Sequence, residues 1–220
     1  MITEQLDKAL GQLGLMTRGA FHPDADVNIP DVGTVILIGN TGPAMWRIFS
    51  ENMPSDRNPL DTWTRRVLAP VAAEAGAQAV YPFEGPPHYP FQRWAMLGDD
   101  VTSSPIGPLV HPEYGMWHAY RAAFLFRDRL DIPEIRRSPA PCDSCIDKPC
   151  LTTCPVTAFT PGHYDVAACR SHMADPAGRS CLENACLARR ACPLGRDYVY
   201  TPAQATFHSR HFLNAGGKGG

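Results

Sequence analysis

The sequence predicts an α+β chain in which a layered α/β domain is followed by a small cysteine-rich module. Three observations predict it. A β-branched apolar run, Thr34-Val-Ile-Leu-Ile38, is followed by helix-forming stretches and a second short apolar run, Ala77 to Tyr81. No cysteine occurs before residue 142. All eight cysteines then fall between Cys142 and Cys192.

Leu6, Leu10 and Leu13 keep helical spacing, so residues 3 to 14 are expected to form an amphipathic helix ending near Gly14. Thr34 to Ile38 reads as a strand buried on both faces. Asn40-Thr-Gly-Pro43 turns the chain into a helix carrying Met45, Trp46, Ile48 and Phe49. Asn58-Pro59-Leu60-Asp61 starts another helix, with Asn58 as cap, Pro59 in the first turn and Asp61 near the positive end of the dipole. That helix should kink at Pro70 and stop at Gly76. After the second strand comes a turn rich in proline (Pro82, Pro86, Pro87, Pro90), and a third strand is expected within Trp117 to Phe126. Ser138-Pro-Ala-Pro141 reads as a linker. The domains expected are therefore 1–138, a cysteine module over 139–200, and a tail over 201–220 whose glycine-rich end is flexible.

Composition narrows the function classes. The formal charge is -2 and the pI about 6.4, so no global basic field favours nucleic acid. The start of the chain carries Glu4 and Asp7 and lacks the continuous apolar run of a signal peptide. No apolar stretch near it approaches the roughly 20 residues a bilayer needs. The expectation is a soluble, cytoplasmic protein with no membrane partner, and a reducing compartment argues against disulfides.

The first cysteine group is Cys142-x2-Cys145-x4-Cys150-x3-Cys154-Pro155. The run of bacterial two-cluster ferredoxins is C-x2-C-x2-C-x3-C-P, its fourth cysteine serving the other cluster. Outer spacings match; the middle one is two residues longer. The second group is Cys169, Cys181, Cys186 and Cys192-Pro193, again closing on Cys-Pro. A short looping run wraps three thiolates around one cubane, and the proline sends the next thiolate across to its neighbour. This reading assigns Cys142, Cys145, Cys150 and Cys192 to one [4Fe–4S] cluster, and Cys154, Cys169, Cys181 and Cys186 to the other. Structural zinc, with His163 or His172 assisting, and disulfides are the alternatives.

Pro108-Leu-Val-His111-Pro-Glu-Tyr114-Gly-Met-Trp117 resembles a stretch shared by CblC-type cobalamin-processing proteins and epoxyqueuosine reductase. Gly33-Thr-Val-Ile-Leu-Ile-Gly-Asn-Thr-Gly-Pro-Ala-Met45 is similar to the CblC-type strand and turn, and Asp165-x3-Cys169 followed by Cys192-Pro is similar to the cluster region of epoxyqueuosine reductase. The resemblance spans residues 15 to 200. It implies a nitroreductase-like domain holding a corrinoid above a sheet, next to a ferredoxin-like electron source. One departure stands out: Gly85 to Arg93 contains no aspartate where epoxyqueuosine reductase keeps its catalytic acid, and Asp99 and Asp100 lie nearby.

The cobalamin contacts so implied are His88, Tyr89, Arg93, His111, Tyr114 and Trp117. Bland readings stand beside them: a His111 that serves its own loop, a Pro-Tyr-Pro-Phe stretch that only packs, and Trp46 and Trp117 as core residues. His118 could face either way, Arg189 and Arg190 could neutralise cluster charge, dock an acidic donor or be solvated, and His208 and His211 suit a surface. No catalytic residue is identified, and reduction of cobalt needs no protein nucleophile. The function expected is a corrinoid-binding iron–sulfur reductase fed by a redox partner. The alternatives are a non-enzymatic electron carrier and a tRNA-modifying reductase.

Overall fold

The computed structural model describes residues 2–27 and 29–215. In chain order the elements are α1 (Ile2–Gly11), β1 (Met16–Phe21), β2 (Thr34–Thr41), α2 (Ala44–Glu51), α3 (Pro59–Glu74), β3 (Gln78–Val80) and α4 (Phe91–Gly98). Two short strands follow, β4 (Thr102–Ser103) and β5 (Leu109–Val110), then the long β6 (His118–Phe126). The remainder holds α5 (Pro149–Thr152), β7 (Phe159–Thr160), β8 (His163–Tyr164), α6 (Val166–Ala174), α7 (Arg179–Glu183), α8 (Leu187–Arg190) and α9 (Pro202–Asn214). The architecture is mixed α+β. Among the described residues, no helix is long and apolar enough to cross a membrane.

The chain divides into two compact units: Met1–Asp100 with His118–Arg137, and Val101–Trp117 with Ser138–Gly220. The first is built on a four-stranded antiparallel sheet of order β1-β2-β6-β3. Val35, Ile36, Leu37 and Ile38 of β2 are fully buried, each contributing about 1.5–3 kcal/mol relative to exposure. Burial on both faces, often a mark of parallel sheets, arises here in an antiparallel one because helices cover it. Phe49 of α2 meets Trp63 of α3 edge-on, with centroids 5.6 Å apart, and Trp46 is core as well.

α3 continues as one helix through Pro70 to Glu74 and ends in a Schellman motif. Gly76 takes φ +73, its N–H donates to the Ala73 carbonyl, and the Ala77 N–H reaches Ala72 at 2.8 Å. At the other end Pro59 occupies the first turn, but Asn58 makes no side-chain cap; its N–H donates instead to Asp56 Oδ1 at 2.9 Å. α1 is shorter than its leucine spacing suggests, because Gly14 turns the chain at φ +65.

Two elements of this unit depart from the sequence expectation. β1 has a bulge between Thr17 and Gly19 and points Arg18 inward, which breaks the alternation of a strand. α4 follows directly on the proline-rich turn, where the sequence reading placed no element, and buries Phe91, Trp94, Ala95 and Gly98 on one face. Gly19 lets β1 and α4 touch: a Cβ there would lie 1.9 Å from the Gly98 carbonyl oxygen.

The second unit departs from the expected domain boundary at Val101–Trp117. Ile106, Val110 and Met116 form one apolar cluster with Cys150, Phe159 and Ala188, so the segment belongs with the cysteines. The expected tail carries α9, whose Ala205 packs with Trp117, Ala185 and Tyr200; the glycine-rich end, 216–220, lies outside the described residues.

Candidate functional site

All eight cysteines are free thiols in the structure. Cys150 and Cys181 are buried and the other six half-buried. Local chemistry fixes each loop. Lys148 adopts a left-handed backbone (φ 37, ψ 58) immediately before Pro149, which opens α5 and carries Cys150 inward. Asp165 caps α6 by accepting the Ala168 N–H at 2.8 Å, setting the helix that bears Cys169. Gly178 admits the turn into α7 and Cys181, since a Cβ there would lie 1.8 Å from the His172 carbonyl oxygen.

The thiols fall into two neighbourhoods. Burial pushes the Cys142 thiol pKa up, and Cys150, Cys192 and Cys145 add to that against the opposing pull of Lys148. Cys150 is raised by burial and then by Cys192 and Cys145. Cys169 is raised by burial, lowered by a hydrogen bond from Tyr164, and raised again by Cys154 and Cys181. Cys186 is raised by burial and by Cys181 and Cys169, while the Ala188 and Arg189 N–H groups act the other way. Each of these four thiols therefore feels others of its own set. Cys154 Sγ also accepts the Ala158 N–H at 3.3 Å. Among the described residues, no three His, Cys, Asp or Glu side chains converge closely enough to hold a single metal ion.

The first set shares a cavity of about 260 Å³. Cys142, Cys145, Cys150 and Cys192 all line it, with Val110, Met116 and Leu194 supplying apolar wall. Four thiols around a largely apolar pocket suit a [4Fe–4S] cluster, whose iron binds thiolates and whose potential responds to burial. For the second set the fit rests on donor chemistry: four thiols, with backbone N–H groups directed at two of the sulfurs.

The sequence-predicted corrinoid contacts divide between the units. In the first, His88 Nδ1 lies 2.7 Å from the Glu84 carbonyl oxygen, Tyr89 packs on Trp94 with centroids 5.6 Å apart, and Arg93 donates to the Asp26 carbonyl. In the second, His111 stacks on Tyr114 at 4.2 Å and its Nδ1 accepts the Glu113 and Tyr114 N–H groups. Trp117 is fully buried, with the Arg189 guanidinium 4.3 Å above its ring and 4.7 Å from that of Tyr200. Arg189 also donates to the Met116 carbonyl, so it is a packed cation, whereas Arg190 is exposed. Gly115 and Gly195 explain much of the His111 loop: Cβ atoms on them would lie 2.5 Å from the Leu194 oxygen and 2.2 Å from the Tyr114 oxygen. Backbone meets backbone there, and the loop braces the chain just after Cys192. His118 is buried, His208 packs beside Tyr200, and His211 is exposed.

Sequence reasoning missed a buried network in the sheet unit. Arg18 Nη2 and the Tyr120 hydroxyl both donate to Asp99 Oδ2 at 2.8 Å, and the Asp100 N–H donates to Oδ1. Arg137 donates to the carbonyls of Met96, Leu97 and Asp99, closing the end of α4. Burial and the Asp99 carboxylate raise the Tyr120 pKa far above the ordinary range, which keeps its hydroxyl a donor. Arg18, Asp99 and Asp100 line a cleft of about 340 Å³. An arginine interrupting an apolar run, with an unplaced Asp99-Asp100 downstream, is the signal that could have found it. Neither this cleft nor the thiol cavity approaches the size of a corrinoid with its side chains.

Comparison with known proteins gives a likeness of fold. No family model matches the sequence, and no curated protein matches it. A selenomethionine-labelled epoxyqueuosine reductase superposes with TM-score 0.56 at 15% identity, over 92% of this chain and 68% of that one. The B12-trafficking protein CblC of C. elegans superposes with TM-score 0.54 at 14% identity, over 96% of this chain and 94% of that one. The epoxyqueuosine reductase of Bacillus subtilis gives 0.53 at 14% identity, over 92% and 68%.

Proposed function

We propose that this chain is an iron–sulfur reductase acting on a corrinoid. In this reading a nitroreductase-like domain takes up cobalamin, and a ferredoxin-like module holding two [4Fe–4S] clusters delivers electrons from a redox partner. The observation that carries it is the cavity lined by Cys142, Cys145, Cys150 and Cys192 in a chain with this fold.

Burial and mutual repulsion make four thiolates costly within each set unless cationic iron compensates them. A cubane takes its four thiolates from the walls of one cavity, which suits Cys142, Cys145, Cys150 and Cys192. Bound clusters would supply electrons one at a time at low potential. The protein's own part is to hold the thiolates, exclude water with Val110, Met116 and Leu194, and present N–H groups to sulfur. The corrinoid half of the proposal is supported by likeness of fold, and no step is assigned to a residue there.

Binding is tested by titrating anaerobically purified, cluster-loaded protein with cobalamin while recording the visible spectrum. The expected result is a saturable change to a base-off spectrum. An unchanged spectrum with clusters intact would favour the non-enzymatic electron carrier instead.

A further inference from the structure

The extra two residues between Cys145 and Cys150 fold Lys148 back over the loop. Its Nζ donates to the Cys142 carbonyl at 2.8 Å in a half-buried position. Lys148 lines the cavity bounded by Cys142, Cys145, Cys150 and Cys192. Its backbone takes a left-handed conformation that side chains other than glycine rarely adopt. A solvated surface lysine needs neither that backbone nor that partner. The loop is shaped to bring an ammonium group to this wall.

Resting on the function proposed above, we propose that Lys148 is a positioning residue that sets the reduction potential of the cluster held by Cys142, Cys145, Cys150 and Cys192. Taking one electron adds a negative charge to an already anionic cluster-thiolate group. A fixed cation within reach stabilises the reduced form more than the oxidised one, and half-burial limits screening by salt. Lys148 therefore raises this cluster's potential.

The test is an EPR-monitored anaerobic titration with dithionite on wild type, Lys148→Gln and Lys148→Arg, with iron and sulfide measured on each. Gln keeps an N–H donor and loses the charge; Arg keeps the charge. The expected result is a more negative midpoint for one of two signals in Lys148→Gln, the other unmoved, and little shift in Lys148→Arg. Unshifted midpoints in a fully loaded Lys148→Gln would overturn the proposal. So would equal loss of one cluster from both variants, which would make the residue part of the loop's fold alone. Wild type without iron and sulfide would fail the iron–sulfur reading itself, an outcome distinct from either.

Discussion

Asp99→Ala is expected to cost about 3–5 kcal/mol, the range for removing one partner of a buried ion pair. Arg18 is almost entirely enclosed, its side chain 1% exposed, so removing the carboxylate takes the counter-charge away from a buried cation. Tyr120 loses its acceptor in the same step. Such a loss is a large fraction of the stability of an ordinary domain. Asp99→Asn, which keeps an acceptor oxygen but no charge, should fall between the two. Chemical denaturation followed by circular dichroism checks the order wild type, Asn, Ala; an alanine variant as stable as wild type would show that the pair contributes little.

Replacing one cysteine in each set tests the two proposed cluster sites separately. Cys150→Ser should remove the first cluster and about half of the iron and sulfide, leaving the second set loaded. Cys181→Ser should do the converse. The double variant should carry almost none, measured by colorimetric iron and sulfide on anaerobically prepared protein. Equal losses from either single variant down to zero would mean that the sets do not load independently. Stoichiometric zinc in place of iron would return the module to the zinc reading.

Parts of the fold were legible because one physical cause dominated locally. β2 shows in the run Val35 to Ile38, and α3 in the pairing of Pro59 at its start with Gly76 past its end. β6 shows in the apolar stretch to Phe126. β1 was hidden because Arg18 points inward to an aspartate 81 residues away, a pairing that local pattern cannot contain. α4 was hidden by the prolines just ahead of it, although Phe91, Trp94, Ala95 and Gly98 keep helical spacing. Val101–Trp117 joins the cysteine unit through Val110 and Met116, and only tertiary packing assigns it there.

Of the candidate site, the cysteines are legible from their confinement to residues 142–192 and their two Cys-Pro endings. In the structure Cys142, Cys145, Cys150 and Cys192 line one cavity, and the division into two clusters belongs to the proposal. The role of Lys148 was not legible, because its partner is a backbone carbonyl reached only when the loop closes. The extra spacing that reads as a departure from the ferredoxin run is the feature that puts it there.

In the proposed function, electrons held by the cysteine module reach cobalt. Protein reduced with dithionite, freed of it by anaerobic gel filtration and mixed with hydroxocobalamin tests this in one optical experiment. The expected result is loss of the reduced-cluster signal together with conversion of cobalt(III) to cobalt(II), one electron per cluster. Clusters that stay reduced beside an unchanged cobalamin spectrum would rule out electron transfer to cobalt.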